Sequence, residues 1–396
     1  MAILKQKNGL YRVVIAERTV MGTPLKRRSI GTFRTKTLAR AAQAKALEKR
    51  EGGQRIVPDR TSLNDVFAGF MKAARERGLS GTTLYRYEQL WRCYVRDRIG
   101  SWSAATVTAL QLEAFYGELL RSGGEDRSGA ARPIGVRSVQ HVHGLIASVL
   151  RWAQRSELVD RNVASIAQAP KGRRRVAKAF EEDEVDRLLE TARRYRRGPL
   201  IAFALETGLR RGELAALRWT DIDFTRRVAV VRGAIAEVPG RTWFKATKQE
   251  TERGVALSAG ALDALRDQRR MQDVERIMAG ASYREDGYVF ARPTGAYSSP
   301  GSIGNAVRLI AKRAGLATTR LHALRHTTAT VLLRQGEDIA TVAAVLRHTS
   351  PATTLSVYAH EVLGAQRAAV DKASLRRRAR RPSVSPVEDD GADVVS

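Results

Sequence analysis

Four side chains near the C-terminal end of the sequence could act together in covalent and proton-transfer chemistry: His322, Arg325, His348 and Tyr358, in the runs LHALRH and LRHTSPATTLSVYAH. Upstream, TGLRRGELAALRW adds Arg210 on a glycine-marked turn into a helix. Guanidinium groups match phosphate oxygens in geometry, an imidazole can hydrogen-bond or carry a proton, and a phenol can become a covalent nucleophile. Two arginines, two imidazoles and a tyrosine are the groups that phosphodiester chemistry without a metal requires.

The elements carrying these residues can be read from local pattern. Gly208 permits a tight approach, so Arg210 can project into a cleft while Leu214, Leu217 and Trp219 anchor the helix behind it. His322 and Arg325 are three apart, hence on one helical face. Leu321, Leu324, Val331 and Leu332 mark a neighbouring apolar stripe, so the polar pair is expected at the rim of a pocket. His322 and His326 have the spacing of a zinc helix, but Ala323 stands where the glutamate of HExxH would be and no third ligand is evident. His348 ends a helix with apolar positions Ile339, Val342, Ala343 and Leu346. Ser350-Pro351 then reads as an N-cap and first helical position, which puts Tyr358 near the end of a short helix able to move and deliver its phenol.

Composition narrows the partners. The chain has 396 residues, long enough for two or three domains, and 69 Lys+Arg against 41 Asp+Glu give a formal charge of +28. Such a surface attracts polyanions, of which a DNA backbone is the most concentrated, although ribosomal and membrane-surface proteins share the basicity. A hydrophobic fraction of 43% excludes a wholly disordered chain. Cys93 is the sole cysteine, so an intramolecular disulfide and a cysteine-based zinc site are both excluded, and it is expected to be a buried apolar residue. No apolar run approaches the roughly twenty residues that span a bilayer, and MAILKQKNGLYRVV lacks the core of a signal peptide. A cytoplasmic protein without a membrane partner is expected.

Residues 1–56 read as a small unit. LYRVVIAE and RRSIGTF alternate as strands do, and Thr35 to Lys49 reads as an amphipathic helix, giving a three-stranded sheet backed by one helix. Arg12, Lys26, Arg27, Arg28 and Arg34 make it basic, suited either to a DNA groove or to a charge-protected edge strand. EGGQRIVPDR has linker composition. Residues 61–168 read as all-helical, with Tyr87, Trp91 and Trp152 expected in its core, a loop over Ser122 to Pro133, and His141 and His143 on different faces. PKGRRRVAK, with Lys171, Arg173 and Arg174, is either a strap along DNA or an exposed linker. Residues 176–375 open on a helix with an acidic first turn. A small antiparallel sheet follows, over RVAVVRGAIAEV, RTWFKAT and RGVALS, and then more helices. Residues 376–396, RRRARR and then an acidic stretch, read as a disordered tail.

These residues identify the resemblance: the chain is similar to the tyrosine recombinases, particularly the integrases of phages and integrative elements, over nearly its whole length. The resemblance implies a multidomain, mainly α fold. Its parts are an arm-type DNA-binding domain at 1–56 (small sheet plus helix), a helical, SAM-like core-binding domain at 61–168, and a mixed α+β, mostly helical catalytic domain at 176–375. Carried over by position, Arg210 and Arg325 are the catalytic arginines, His322 and His348 the histidines, and Tyr358 the nucleophile. Lys248, in FKATKQETERGVALS, best fits the hairpin lysine, with Lys245 as the alternative. The chain departs from the family pattern in three places: Ala323 replaces an aspartate, Arg347 replaces the glycine before His348, and the hairpin lacks a proline in GVALS. Arg347 could alter local phosphate contacts.

The resemblance further implies attack of Tyr358 on phosphorus to form a 3′-phosphotyrosyl bond, with no cofactor, metal or ATP, because the covalent bond conserves phosphodiester energy. Expected partners are double-stranded DNA attachment sites, a homotetramer on DNA, and DNA-bending and excision-directionality proteins, in the cytoplasm of a bacterial host. The expected activity is integration or excision of a mobile element or prophage. Rival readings are a replicon dimer resolvase, a topoisomerase, and a non-catalytic DNA-binding regulator on the same fold.

Overall fold

In a computed structural model of the chain, the described residues are 1–17, 26–51, 61–125, 128–172, 179–246, 253–317, 320–347 and 355. Arg173, Arg174, Lys248, His348, Tyr358 and the tail 376–396 lie outside them. The chain divides into two compact units, 1–174 and 175–396.

The first unit begins with strands β1 (Ala2–Lys5), β2 (Tyr11–Glu17) and β3 (Lys26–Phe33), antiparallel in that order, followed by helix α1 (Lys36–Glu51). The alternation in β2 sends Val13 inward, where it packs with Ile30 of β3 and with Ala39 and Ala46 of α1. Register slips between Val13 and Val14, whose partners are Gly31 and Ser29, so Ile30 is the extra residue of a bulge. The basic residues Lys26, Arg27 and Arg28 pair along β2 with Glu17, Ala16 and Ile15.

A separate core is built by α2 (Leu63–Glu76), α3 (Gly81–Leu90), α4 (Ala109–Ser122) and α5 (Val136–Arg155). Helix starts are fixed by side chains. Ser62 Oγ accepts from Asp65 N at 3.1 Å while the Asp65 carboxylate accepts from Ser62 N at 3.0 Å, and Thr108 and Gln111 repeat this reciprocal arrangement on α4. Trp91 is buried, stacks on Phe67 with ring centroids 4.2 Å apart, and donates from Nε1 to Asn64 Oδ1 at 2.8 Å. Tyr87 and Trp152 pack against the same core. His143 Nδ1 lies 3.1 Å from the Tyr116 hydroxyl.

Two expectations change in this unit. The loop over Ser122 to Pro133 contains a short hairpin, β4 (Gly124–Glu125) with β5 (Ala131–Arg132). Cys93 is exposed, not buried. It lies in a π-helical turn, Trp91–Val95, that commits Trp91 and Val95 to the core and leaves Arg92 and Cys93 outward.

The second unit is mostly helical: α6 (Glu182–Ala192), α7 (Gly198–Thr207), α8 (Arg211–Ala216), α9 (Ala259–Ala279), α10 (Pro300–Arg313), α11 (Leu321–Arg334) and α12 (Ile339–Val345). Between α8 and α9 run β6 (Ile222–Asp223), β7 (Val228–Val231), β8 (Gly233–Val238), β9 (Arg241–Ala246) and β10 (Arg253–Ala256). They form two sheets where the sequence suggested one, because RVAVVRGAIAEV breaks at Arg232. β7 joins β10 and β6, whereas β8 pairs, among the described residues, with β9. Arg232 turns its guanidinium onto the buried carboxylate of Asp221 at 2.8 Å, anchoring the break. Leu200, Ile201, Phe203 and Ala204 of the apolar α7 centre the core, and α11 is tied to α7 by Thr328 Oγ1 donating to Leu205 O at 2.6 Å. Among the described residues, no helix is long and apolar enough to cross a membrane.

Candidate active site

Arg325 is only 2% exposed, not at the rim of the apolar stripe as its spacing suggested. The inward row of α11 is Leu321, Arg325, Ala329 and Leu333, each four residues from the next, so the arginine lies within the buried face and Val331, 43% exposed, lies off it. A guanidinium so placed must satisfy its N–H groups internally. Nη1 donates to Gly208 O at 2.7 Å and Nη2 donates to Leu346 O. Arg325 therefore joins the end of α7 to the end of α12.

The Gly208 carbonyl is available because α7 stops there. Gly208 adopts φ +60, a left-handed cap, and a Cβ built on it would lie 2.9 Å from Leu346 Cδ2. Leu209 then turns into the core, and Arg210 follows as the N-cap of α8, exposed to solvent. Glu213, three residues on, accepts from Arg210 N at 2.8 Å and from Arg210 Nη1 at 3.0 Å. Its other partner is distant in sequence: Arg347 Nη2 donates to Glu213 Oε2 at 2.6 Å. The Arg347 side chain is 5% exposed and its backbone is left-handed, with φ +52. Burial alone would raise the Glu213 pKa. The Arg347 charge and the Arg210 backbone and side-chain donors outweigh it, so the carboxyl is held below its ordinary 4.5.

His322, one turn before Arg325, is accessible at the start of α11 and lies edge-to-face with His326, ring centroids 4.7 Å apart. Partial desolvation, and then the charges of Arg325 and Arg210, hold its pKa below the ordinary 6.5, so the imidazole is neutral near physiological pH. The structure thus gathers Arg210, His322 and Arg325 into one cluster. Lys245 lies on β9, paired with Ala234 of β8, and is exposed. Helix α8 packs closely on β8, since a Cβ on Gly212 would lie 2.7 Å from Ile235 O. The β8–β9 hairpin is held to α10 by Gly301 N donating to Glu237 Oε2 at 2.6 Å, and to Tyr297 through Thr242.

In the other unit, Arg12 lies half-buried across the sheet, paired with Leu4 and Thr32, and Arg34 and Lys171 are exposed. Sequence reasoning passed over Glu213 as a site residue. Its signal was present, a glutamate three residues after the helix-capping Arg210. The partnership of Arg347 with Glu213 had no sequence signal. No cluster of three or more His, Cys, Asp or Glu side chains suited to a metal occurs among the described residues.

Two guanidiniums around a neutral imidazole, on a mainly helical scaffold, are groups able to bind phosphate oxygens and to carry a proton. Residues 178–363 match the phage integrase family. A XerC-like tyrosine recombinase of Caldanaerobacter subterraneus subsp. tengcongensis is 24% identical over 379 residues, 90% of this chain and 94% of that one. The ICEBs1 integrase of Bacillus subtilis is 22% identical over 382 residues, 94% and 99% of the two chains. The Tn1549 transposon integrase, solved in complex with a circular intermediate DNA, superposes with a TM-score of 0.64 at 19% identity, covering 79% of this chain and 99% of that chain. The phage integrase match over 178–363 and these relatives support the tyrosine recombinase family. The chain is a site-specific recombinase of the integrase type, an enzyme that breaks and rejoins DNA.

Proposed function

We propose that the chain integrates and excises a mobile element or prophage through a 3′-phosphotyrosyl intermediate on Tyr358. The observation that carries this is the convergence of Arg325, Arg210 and a neutral His322. Arg210 and Arg325 hold the non-bridging oxygens of the scissile phosphate and stabilise the pentavalent transition state. Neutral His322 assists proton transfer at the tyrosine, whose phenol, with an ordinary pKa of about 10, needs help to attack near neutral pH. Lys248, or Lys245 in its place, protonates the departing 5′-hydroxyl, and His348 donates to phosphate. Strand exchange follows when the 5′-hydroxyl of a partner strand attacks the phosphotyrosine.

The domains divide the work. Residues 1–56 bind arm-type DNA through Arg12, Lys26, Arg27, Arg28 and Arg34, residues 61–168 bind the core site, and residues 176–375 perform the chemistry. Lys171, Arg173 and Arg174 contact the DNA as a basic connector, and residues 376–396 form a tail. Recombining two duplexes takes four strand cleavages at one tyrosine each, so the working species is a homotetramer on double-stranded attachment sites. DNA-bending and excision-directionality proteins assist it in the bacterial cytoplasm. Similarity over nearly the whole chain to the ICEBs1 integrase supports the reading of integration.

The test is a nicked suicide substrate carrying the candidate attachment core, incubated in EDTA with wild type and with Tyr358→Phe. A covalent protein–DNA adduct from wild type alone is expected. An adduct that persists with Tyr358→Phe would remove Tyr358 as nucleophile, and DNA binding without any adduct would favour a regulator.

A further inference from the structure

Arg347 is the feature that the chemistry above leaves unexplained. An L-residue at φ +52 is strained, and glycine would occupy that backbone freely. The guanidinium is nevertheless buried and directed onto Glu213, at 2.6 Å. Glu213 is itself largely buried, with a side chain 12% exposed, and its carboxylate is shared between Arg347 on one oxygen and the far more exposed Arg210 on both, through its backbone N–H and Nη1.

We propose that Arg347 is a positioning residue that acts through Glu213: it keeps the carboxylate neutralised, so that Arg210 can give up its Glu213 contact for the scissile phosphate. The proposal rests on the assignment of Arg210 as a phosphate-binding arginine. A phosphate in the site competes with Glu213 for the Arg210 guanidinium. With Glu213 dependent on Arg210 alone, that exchange would leave a buried carboxylate without a counter-charge, which is strongly unfavourable. Arg347 removes the conflict. Its side chain is fixed by burial, it bonds Oε2, and the Oε1 contact of Arg210 is the one free to be exchanged. Left-handed strain at Arg347 is the cost of bringing a guanidinium to this point from the end of α12.

The test uses the full-length protein and single-turnover adduct formation on the nicked attachment-core duplex at saturating DNA, with DNA affinity and thermal melting measured alongside. Arg347→Gly suits the left-handed backbone. It is expected to fold and to bind DNA within about threefold of wild type, while its cleavage rate falls about 10- to 100-fold. Arg347→Lys, which returns a cation, should recover most of the rate. In a Glu213→Gln background there is no carboxylate to neutralise, and Arg347→Gly should then change the rate less than about threefold. A role confined to packing would produce the same loss in both backgrounds, and that result would overturn the proposal. So would wild-type cleavage by Arg347→Gly, or no recovery with Arg347→Lys. Failure of wild type itself to form an adduct would instead strike the assignment of function on which the proposal rests.

Discussion

Arg325 and Gly208 are 117 positions apart in the chain, yet the guanidinium of one donates to the carbonyl of the other at 2.7 Å. The same guanidinium donates to Leu346 O. Replacing Arg325 with alanine leaves both carbonyls without this donor and is expected to cost on the order of 3 kcal/mol. Arg325→Lys keeps the charge but cannot span both acceptors from a planar fork, so it should lose adduct formation while melting between wild type and Arg325→Ala. Calorimetry together with suicide-substrate cleavage checks both statements.

Gly208→Ala addresses the same junction from the other side. An alanine there meets a left-handed backbone and a Leu346 methyl at 2.9 Å. A loss of about 1–3 kcal/mol is expected from denaturant titration. Cleavage should fall along with stability, because the displaced carbonyl is an Arg325 acceptor.

Glu213 has a pH signature. Its folded-state pKa lies below the ordinary 4.5, so the unfolded chain binds a proton on it more readily than the folded chain does. Its contribution is therefore fully present above about pH 4.5 and is lost as pH falls through the depressed value. Glu213→Gln should lower stability at neutral pH and show a shallower loss as pH falls below about 4.5 in acid titrations followed by circular dichroism.

His322 shifts downward as well, but it is a base, so its charged form is the one disfavoured by folding. Proton uptake then favours the unfolded chain as pH falls from above 6.5 to below the depressed value. Histidine NMR titration of the free protein should place the His322 midpoint below 6.5. Arg210→Ala, which removes one neighbouring cation, should move it upward. A midpoint unmoved by Arg210→Ala would separate the two residues electrostatically.

How much of this was legible in the sequence depends on the distance over which each feature is determined. The strand and helix order of the N-terminal sheet follows from alternation and periodicity. The shared face of His322 and Arg325 follows from a spacing of three. The depth of Arg325 was misread because an arginine within an apolar row looks like the edge of the stripe. Its acceptors, supplied from Gly208 and Leu346, let it sit inside. The break at Arg232 was hidden for a similar reason: VAVVRGAIAEV is apolar on both sides of the arginine and reads as one strand region, while the carboxylate that receives Arg232 comes from Asp221, before β7. Cys93 followed the general tendency of its type until a π-turn rotated it outward. Arg347 showed as a departure from the family pattern, but its left-handed backbone and its carboxylate partner are tertiary facts.

Because the acceptors of Arg325 come from opposite ends of the unit, the timing of synthesis matters. A nascent chain that has released α7 and α11 from the ribosome, but not yet the end of α12, holds Arg325 by only one of these two carbonyls, and Glu213 still lacks Arg347. The clamp is complete only once the end of α12 has emerged, so a chain halted before that point lacks both the second Arg325 acceptor and the cation beside Glu213.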